Sequence, residues 1–383
     1  MTLRLFAEFH HSGDHEAAWR LPTAQPERIA DAGYYVERAR LAARGGFDAV
    51  FFADFPGFDP AVRHHIRWPF EPTVLLGAVA AAVPDVRLVA TASTVFSTAD
   101  RLVDTFAALQ RVSGGRAGWN VVTAGSPTAA RALGIDALPP HDERYDAADA
   151  VVADFRERWD PDVPRPLLVQ AGASDRGREF AARHADVVFA ATPTLADGRA
   201  FRDDLHRRAA TYGRPPPLLL PGFLVTLGST VDEARRLRTR LDDLLTDPNL
   251  AGLLRGFGIE PPAAGLDAPL PADLADPSFG GIRSRAPVLA AIAARLGPST
   301  SLRTLARHVA GSRGHLQHAG TPEEIATIMG EWHAAGAADG FVVKFSHNPG
   351  GAEDFVDGVV PVLRHRGLLR PRDVGTPVPT AGW

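Results

Sequence analysis

The chain has 383 residues, of which 45% are hydrophobic and 22% are charged, so a sizeable core is available and neither a disordered nor a collagen-like chain is indicated. The formal net charge is -4 and the signs are interspersed, which argues against nucleic acid or an anionic membrane as the main partner. The chain contains no cysteine, which excludes a disulfide framework, a thiolate nucleophile and iron–sulfur ligation.

No apolar run is long enough to span a membrane, and residues 1–10 lack the basic start and the apolar stretch of a signal peptide. We therefore expect a cytoplasmic enzyme. Length alone allows one domain or two, because barrels of alternating strands and helices often exceed about 250 residues as a single unit.

Strand and helix patterns alternate along most of the chain. Short apolar runs predict eight strands, at residues 3–9, 47–53, 86–92, 117–122, 167–171, 187–191, 218–227 and 340–345. Amphipathic patterns predict helices at residues 31–44, 71–82, 98–112, 141–159, 175–184 and 195–212, after Thr230, after Thr321, and at residues 355–366. This alternation predicts a parallel α/β fold, either a closed eight-stranded barrel or an open doubly wound sheet, and the pattern favours the barrel.

Three helix starts carry capping-box patterns. Thr321 stands three residues before Glu324, with Pro322 at the first helical position. The other two patterns are Ser97 with Asp100 and Thr230 with Glu233. Each pattern predicts where a helix begins.

The alternation breaks between residues 246 and 320. This region contains proline- and glycine-rich loops around residues 260–281 and two short helical patterns near residues 286–296 and 302–308. We interpret it as an insertion before the last strand that covers a pocket as a lid. Residues 369–383 are predicted to form a proline-rich tail without a packing pattern.

Polar side chains stand at the predicted carboxyl ends of several strands, where α/β barrels carry their active sites. Asn120, in an otherwise apolar run, either ties down a neighbouring loop or is aimed at a ligand. Thr91 and Ser93 are either ordinary strand formers or hydrogen-bonding groups beside a ligand. Asp54 either caps and anchors a loop or contacts the ligand.

Gly172, Ala173 and Ser174 lie where a strand leads into a helix. Free amides at a helix N-terminus bind anions, although Ser174 could simply cap the helix. His141 and Tyr145 are four residues apart and share one helical face, as a ligand-binding pair or as a solvated histidine beside a packed tyrosine.

Other site classes find little support in the sequence. The spacing of His308, His315 and His318 lacks the compactness of a zinc site, so we expect no metal. No strand is followed by a Gly-x-Gly-x-x-Gly motif or by a phosphate loop.

Residues 113–123, Ser-Gly-Gly-Arg-Ala-Gly-Trp-Asn-Val-Val-Thr, resemble the signature of the nitrilotriacetate-type flavin-dependent monooxygenases, within the bacterial luciferase-like superfamily. Further segments match this family in the expected order, at residues 47–54, 89–94, 141–145, 169–174 and 336–341. The resemblance covers most of the chain, and its agreement in order is far more specific than any single motif.

The resemblance implies one luciferase-like (β/α)8 TIM-barrel domain over residues 1–383. It also implies a monooxygenase that uses reduced FMN and O2 on a small organic substrate, receives its flavin from a separate NAD(P)H:flavin reductase, and forms a homodimer or homotetramer. The implied cofactor-binding residues are Asp54, Thr91, Ser93, Asn120, His141, Tyr145, Gly172, Ala173 and Ser174. Among them, residues 172–174 would hold the flavin phosphate and Asp54 would lie beside the ring.

Two departures from the family pattern affect these expectations. Leu21 stands where relatives carry a histidine that is a candidate for substrate contact, so no catalytic base can be carried over. The connection from Trp159 to Leu167 is far shorter than the usual excursion. The alternatives are a deazaflavin-dependent oxidoreductase of the same fold and a non-catalytic flavin-binding protein.

Overall fold

Eight parallel strands close into a barrel in the computed structural model, which describes residues 2–54, 70–123, 127–132, 134–271, 274 and 285–370. The strands of the whole sheet are β1 Arg4–Glu8, β2 Ala49–Phe52, β3 Arg87–Ser93, β4 Ala117–Val122, β5 Leu167–Gln170, β6 Val187–Ala190, β7 Leu218–Leu227, β8 Leu316–Gly320 and β9 Gly340–Phe345. The ring runs from β1 to β7 in order, and β9 closes it by pairing with β7 and β1. The structure confirms the predicted closed barrel and rules out the alternative, an open doubly wound sheet.

Strand β8 lies outside the ring and was missed by the sequence analysis, which assigned its residues to the insertion. Residues 218–221 of β7 pair with β6, and residues 223–227 of the same strand pair with β8. The other edge of β7 pairs with β9. Strand β7 has ten residues and β6 only four, so β8 takes up the edge of β7 beyond the end of β6.

Helices cover the outside of the barrel. They are α1 Ala32–Gly45, α2 Pro72–Ala82, α3 Ala99–Ser113, α4 Pro127–Ala132, α5 His141–Arg158, α6 Asp175–His184, α7 Leu195–Thr211, α8 Val231–Asp243, α9 Asp247–Gly256, α10 Arg285–Leu296, α11 Leu302–Val309, α12 Pro322–Ala334, α13 Gly351–Asp354 and α14 Val360–His365. A single π turn, Phe355–Val359, joins the last two.

The capping patterns were right at two helices and wrong by one residue at a third. Thr230 is the predicted N-cap of α8, and its side chain accepts from the Glu233 amide at 3.2 Å. Thr321 and Glu324 form the predicted reciprocal capping box of α12, with Pro322 in the first turn. Helix α3 is capped by Thr98, whose side chain accepts from the Arg101 amide at 3.3 Å, and Ser97 lies outside. Thr98 is also a good capping residue, so the pattern could not distinguish the two positions.

The barrel interior and its outer layer are separate apolar clusters. The inner cluster includes Phe6, Phe51, Val89, Phe189 and Val342, all on ring strands. The outer cluster joins the strands to the helices. Since side chains alternate along a strand, the inward position of Phe6 also sends Glu8 inward, and that of Val342 sends Lys344 inward. Two charged side chains therefore face the lumen at the carboxyl end of the barrel.

The predicted insertion contains helices α9, α10 and α11 in addition to β8, and α9 was not predicted. Its helices share an apolar cluster of their own that includes Leu250, Leu254, Phe257 and Leu305. The predicted tail begins at Leu369, which is buried against the barrel, and residues 371–383 lie outside the described part of the chain. Among the described residues, no helix has both the length and the apolar character needed to cross a membrane.

Candidate functional site

Asn120 and Thr91 lie side by side on neighbouring strands. They are register partners between β4 and β3, and Asn120 Nδ2 donates to Thr91 Oγ1 at 3.0 Å. Asn120 is 3% exposed, and its Oδ1 is buried without a hydrogen-bond partner among the described residues. A buried acceptor that none of the described residues satisfies is costly, and it points to a donor outside them, such as a ligand.

Tyr145 brings helix α5 onto the end of β5. Its hydroxyl forms hydrogen bonds with Thr123, Ser174 and Gln170, and burial raises the pKa of this phenol so that it stays protonated. Gly172 passes so close that an added Cβ would collide with the Gln170 amide and the Tyr145 hydroxyl. A larger residue at this position would therefore displace one of these two polar groups.

Gln170 lies at the candidate site, and the sequence analysis did not select it. It ends β5, it is 3% exposed, and its Oε1 is buried without a partner in the described residues. The signal that singled out Asn120, a polar amide in a buried apolar strand, was equally present in Leu-Leu-Val-Gln and would have found it.

Ser174 is the N-cap of α6. Its Oγ accepts from the Gly177 amide at 3.1 Å, so the capping role is observed. The same hydroxyl reaches the Tyr145 hydroxyl. Ala173, which precedes it, accepts from Arg178 Nε through its carbonyl at 3.2 Å. The N-terminal turn of α6, a helix of ten residues, therefore lies next to Tyr145.

The remaining predicted residues lie at the same end of the barrel. The His141 ring is 5.1 Å from the Tyr145 ring, and its Nδ1 is 2.6 Å from Asp142 Oδ1. Ser93 Oγ accepts from the Val95 amide at 3.2 Å and so stabilises a turn. Asp54 is half-buried just beyond β2, and residues 55–69, which follow it, lie outside the described residues.

A buried charged cluster at the ends of β1 and β9 was also missed. Lys344 lies between Glu8 and Asp14, with Nζ 2.6 Å from Asp14 Oδ1 and in contact with Glu8 Oε2. His10 Nε2 is 3.5 Å from Glu8 Oε1. Burial opposes the charge of Glu8, but the attraction of Lys344 and hydrogen bonding to His10 outweigh it and lower the pKa of that carboxyl. Burial raises the pKa of Asp14.

Leu21, the departure from the family pattern, has a structural explanation. It is 6% exposed and packs in a small apolar cluster with Ala18, Ala24 and Leu241. Its neighbour Arg20 donates from Nη1 to Asn249 Oδ1 at 2.8 Å, which joins this segment to helix α9 of the insertion. Leu21 therefore holds the β1–α1 connection against α8.

The three histidines considered as metal ligands have separate surroundings. His315 stacks on Phe189, with ring centroids 4.8 Å apart, and His308 Nε2 lies 3.1 Å from the Gln317 amide nitrogen. His318 is on β8, 3.9 Å from a carboxylate oxygen of Glu324. No zinc site is assembled from these three residues.

A family model described as luciferase-like monooxygenase matches residues 1–339. The chain belongs to the luciferase-like monooxygenase family. It is 34% identical to nitrilotriacetate monooxygenase component A of Aminobacter aminovorans, over 96% of this chain and 93% of that protein. It is 32% identical to N-acetyl-S-(2-succino)cysteine monooxygenase of Bacillus subtilis, over 95% of this chain and 92% of the relative.

Among solved structures of this family, EDTA monooxygenase from Chelativorans sp. BNC1 superposes with a TM-score of 0.81 at 29% identity, covering 98% of this chain and 97% of the other. The shared sequence, the closed barrel and the named activities of the relatives agree. This luciferase-like protein is a flavin-dependent monooxygenase.

Proposed function

We propose that this monooxygenase binds reduced FMN at the carboxyl ends of β3, β4 and β5 and uses O2 to oxygenate a small organic substrate. The observation that carries the proposal is the meeting of Tyr145, Gln170, Gly172 and Ser174 at the end of β5. Asn120 on the neighbouring strand β4, like Gln170, has a buried amide oxygen without a partner among the described residues. The proposal goes beyond the family assignment, which establishes a flavin but not which flavin.

The residues at these strand ends fit the donors and acceptors of FMN. The flavin ring and ribityl chain carry N–H and O–H donors. Asn120 Oδ1 and Gln170 Oε1, which have no partner in the described part of the chain, can accept hydrogen bonds from them. A phosphate accepts hydrogen bonds, and the Tyr145 hydroxyl, the Ser174 hydroxyl and the first-turn amides of α6 can donate them. Thr91, Ser93, His141, Ala173 and Asp54 complete the proposed set.

Bound reduced flavin would supply the electrons of the reaction, in which one oxygen atom of O2 enters the substrate and the other is reduced to water. The described residues bind and orient that group. The Tyr145 phenol is protonated at neutral pH, since its ordinary pKa is near 10 and burial raises that pKa, so it can act as a hydrogen-bond donor. Thr91 accepts a hydrogen bond from the amide nitrogen of Asn120. This bond fixes the orientation of the Asn120 amide and therefore the direction in which its Oδ1 points.

The insertion, residues 246–320, is proposed to shield the barrel mouth from water. Arg20, in the β1–α1 connection, donates a hydrogen bond to Asn249 in helix α9 of the insertion. We therefore expect these two segments to move together. The proposal extends to a separate reductase that supplies reduced FMN, to a homodimer or homotetramer, and to a cytoplasmic location.

Binding and isotope experiments test this function. Calorimetry with FMN, riboflavin and a deazaflavin cofactor should give the tightest binding for FMN, with riboflavin at least about tenfold weaker because the phosphate contacts are lost. Preferred binding of the deazaflavin would favour hydride transfer. With reduced FMN and candidate substrates under 18O2, one labelled oxygen atom should enter the product, and a product without label would refute monooxygenation.

A further inference from the structure

A cavity lies at the amino end of the barrel, opposite the proposed flavin site. Its volume is about 570 Å³, within the range of small-molecule pockets. Leu167 and Leu218, the first residues of β5 and β7, line it. Three arginines from separate segments line it as well, namely Arg156 of α5, Arg165 before β5 and Arg214 before β7. Because the proposed flavin residues lie at the carboxyl ends of the same parallel strands, this cavity is a separate site.

The connection before β5 brings Arg165 to the cavity. The stretch from Trp159 to Leu167 is the second departure from the family pattern, and its shortness leaves Arg165 two residues before the strand, on the cavity wall. Arg165 is exposed, whereas Arg156 and Arg214 are half-buried. An exposed arginine at the rim is accessible to a ligand.

Positive charge exceeds negative charge in the described lining. Asp186 is the only carboxyl group among the described residues that line the cavity. Its Oδ2 accepts from the Leu168 amide at 2.8 Å, and its Oδ1 lies 3.7 Å from Arg214 Nη2. Arg156 lies 3.0 Å from His184 Nδ1 through Nη1, and it donates from Nη2 to the His184 carbonyl at 3.0 Å. His184 is neutral at pH 7, since its Nδ1 accepts from Arg156 and burial lowers its pKa.

Part of this arrangement stabilises helix α6, and that role must be separated from ligand binding. Arg214 donates from Nη1 and Nη2 to the carbonyls of Ala182 and Ala185, both at 3.3 Å, at the end of α6. Arginines beside the last carbonyls of a helix are favourable without any ligand. Among the described contacts, Arg165 takes no part in this cap. A guanidinium also has five N–H donors, so the cap leaves donors on Arg214 for an anion.

The three arginines lie close enough to influence one another. Burial lowers the pKa of Arg156, and repulsion from Arg214 and Arg165 adds to this effect against the attraction of Asp186. Like charges on a concave surface concentrate a positive potential, which attracts anions. The planar guanidinium group binds phosphate and carboxylate through paired hydrogen bonds. The cavity is therefore suited to an anion.

The size and the remaining lining indicate an organic anion. Pro215 and Pro216 are exposed on the cavity wall and offer flat apolar rings beside the arginines. A phosphate monoester carries about -1.5 to -2 charge at neutral pH and three acceptor oxygens, which suits three guanidinium groups better than a single carboxylate does. We propose that this cavity binds a small organic phosphate, with the phosphate at Arg156, Arg165 and Arg214 and the uncharged part against the prolines. The site goes beyond the proposed oxygenation and does not depend on it.

Calorimetry of the full chain, without flavin and in a phosphate-free buffer of low ionic strength, tests the proposal with phenyl phosphate, inorganic phosphate and phenol. Phenyl phosphate should bind, inorganic phosphate should bind at least about threefold more weakly, and phenol should not bind. With the full chain, residues 371–383, which lie outside the described range, can compete for the cavity. No binding of either phosphate compound up to about 10 mM would overturn the proposal. Equal affinity for the two would also overturn it, since the organic part would then contribute nothing.

Matched variants locate the binding. Arg165→Gln should weaken phenyl phosphate binding at least about fivefold and leave the urea midpoint unchanged, because Arg165 lies outside the helix cap. Arg214→Gln should lower both affinity and stability. Arg40→Gln, at an exposed position on α1, removes the same charge elsewhere and should bind like the original protein. Unchanged affinity in Arg165→Gln, or an equal loss in Arg40→Gln, would rule out the cavity as the binding site.

A change of opposite sign is expected at Asp186. Asp186→Asn keeps an oxygen for the Leu168 amide and removes the carboxyl group that competes for the arginines, so phenyl phosphate should bind about three- to fivefold more tightly. Weaker binding in this variant would contradict the proposal. Binding that weakens in Ser174→Ala but not in Arg165→Gln would place the probe at the proposed flavin site and refute the second site. Because no flavin is present, a failure of FMN to bind would bear on the proposed function alone.

Discussion

At the scale of single residues, the candidate site is marked by buried polar atoms that the described residues leave without hydrogen-bond partners. Asn120 Oδ1 and Gln170 Oε1 are buried acceptors without partners in the described residues, on neighbouring strands. Each costs the protein roughly 1–3 kcal/mol of desolvation. A ligand that supplies a donor removes this cost. Replacing either amide oxygen should therefore raise the stability of the ligand-free protein and lower its affinity for the ligand.

Replacement of Gln170 by methionine tests this relation. Gln170→Met keeps the length of the side chain and removes the unsatisfied Oε1, so the flavin-free protein should be at least as stable, apart from the lost contact to Tyr145. FMN affinity should fall about tenfold, or 1.4 kcal/mol. Urea unfolding and calorimetry measure the two quantities. A less stable protein with unchanged affinity would show that Gln170 is structural.

Ser174 has two roles that a matched variant can separate. Ser174→Ala removes a helix cap and a proposed phosphate contact, so both stability and FMN binding should fall by about 1 kcal/mol. Ser301 caps α11 in the same way, accepting from the Thr304 amide at 3.2 Å. Ser301→Ala should lower stability alone. Equal FMN affinity in the two variants would confine Ser174 to capping.

Residue patterns predicted polar groups at strand ends but not which of them meet. The sequence placed Asn120 and Ser174 correctly towards the carboxyl end, because each lies in or follows a recognisable strand. It could not reveal the Tyr145–Gln170 contact, which depends on how α5 lies across β5. Nor could it reveal the Glu8–Lys344 pair, because these residues are 336 positions apart and meet only when the barrel closes.

At the scale of elements, the alternation of strands and helices was readable and the extra strand was not. Four of the five residues of β8, Leu-Gln-His-Ala-Gly, are only half-buried, and the run is neither apolar nor alternating. Strand β7, which pairs with β8, gave the better signal. It has ten residues and its neighbour β6 has only four, so part of the β7 edge would be left unpaired without β8.

Hydrogen exchange can separate β8 from the rest of the insertion. The helices α9 to α11 rest on a small separate core, so we expect their amides to exchange at least about tenfold faster than those of β3 and β4. Strand β8 should be protected like the barrel, because its register with β7 spans five residue pairs. FMN should slow exchange in α9 to α11. Protection equal to that of the barrel strands with and without FMN would refute the lid.

At the scale of the whole molecule, stability should fall in acid because several buried histidines stay neutral. Burial lowers the pKa of His11 to about 4, while in the unfolded chain it is near 6.5. Between these values the unfolded state binds more protons, so stability is full above about pH 6.5 and is lost as pH falls towards 4. His15 and His347 contribute in the same direction.

A variant can isolate the share of His11 in this acid sensitivity. His11→Gln should reduce the loss of stability between pH 7 and pH 4.5, measured as the change in urea midpoint. His365→Gln, at an exposed position on α14, should follow the original protein. If both variants lose stability as the original does, His11 is not one of the groups that set the dependence.

The whole chain is also expected to be unable to reduce its own flavin. The described residues form one closed barrel with the proposed flavin residues gathered at one mouth, and the sequence contains no dinucleotide motif that would hold a nicotinamide elsewhere. A nicotinamide would have to compete with flavin and substrate for the same mouth. Mixing the protein with FMN and NADH or NADPH under nitrogen should therefore leave the oxidised flavin absorbance unchanged for minutes, and adding an unrelated flavin reductase should bleach it. The reductase arm shows that the flavin remains reducible, so rapid bleaching without it would mean that this enzyme carries its own nicotinamide site and needs no partner.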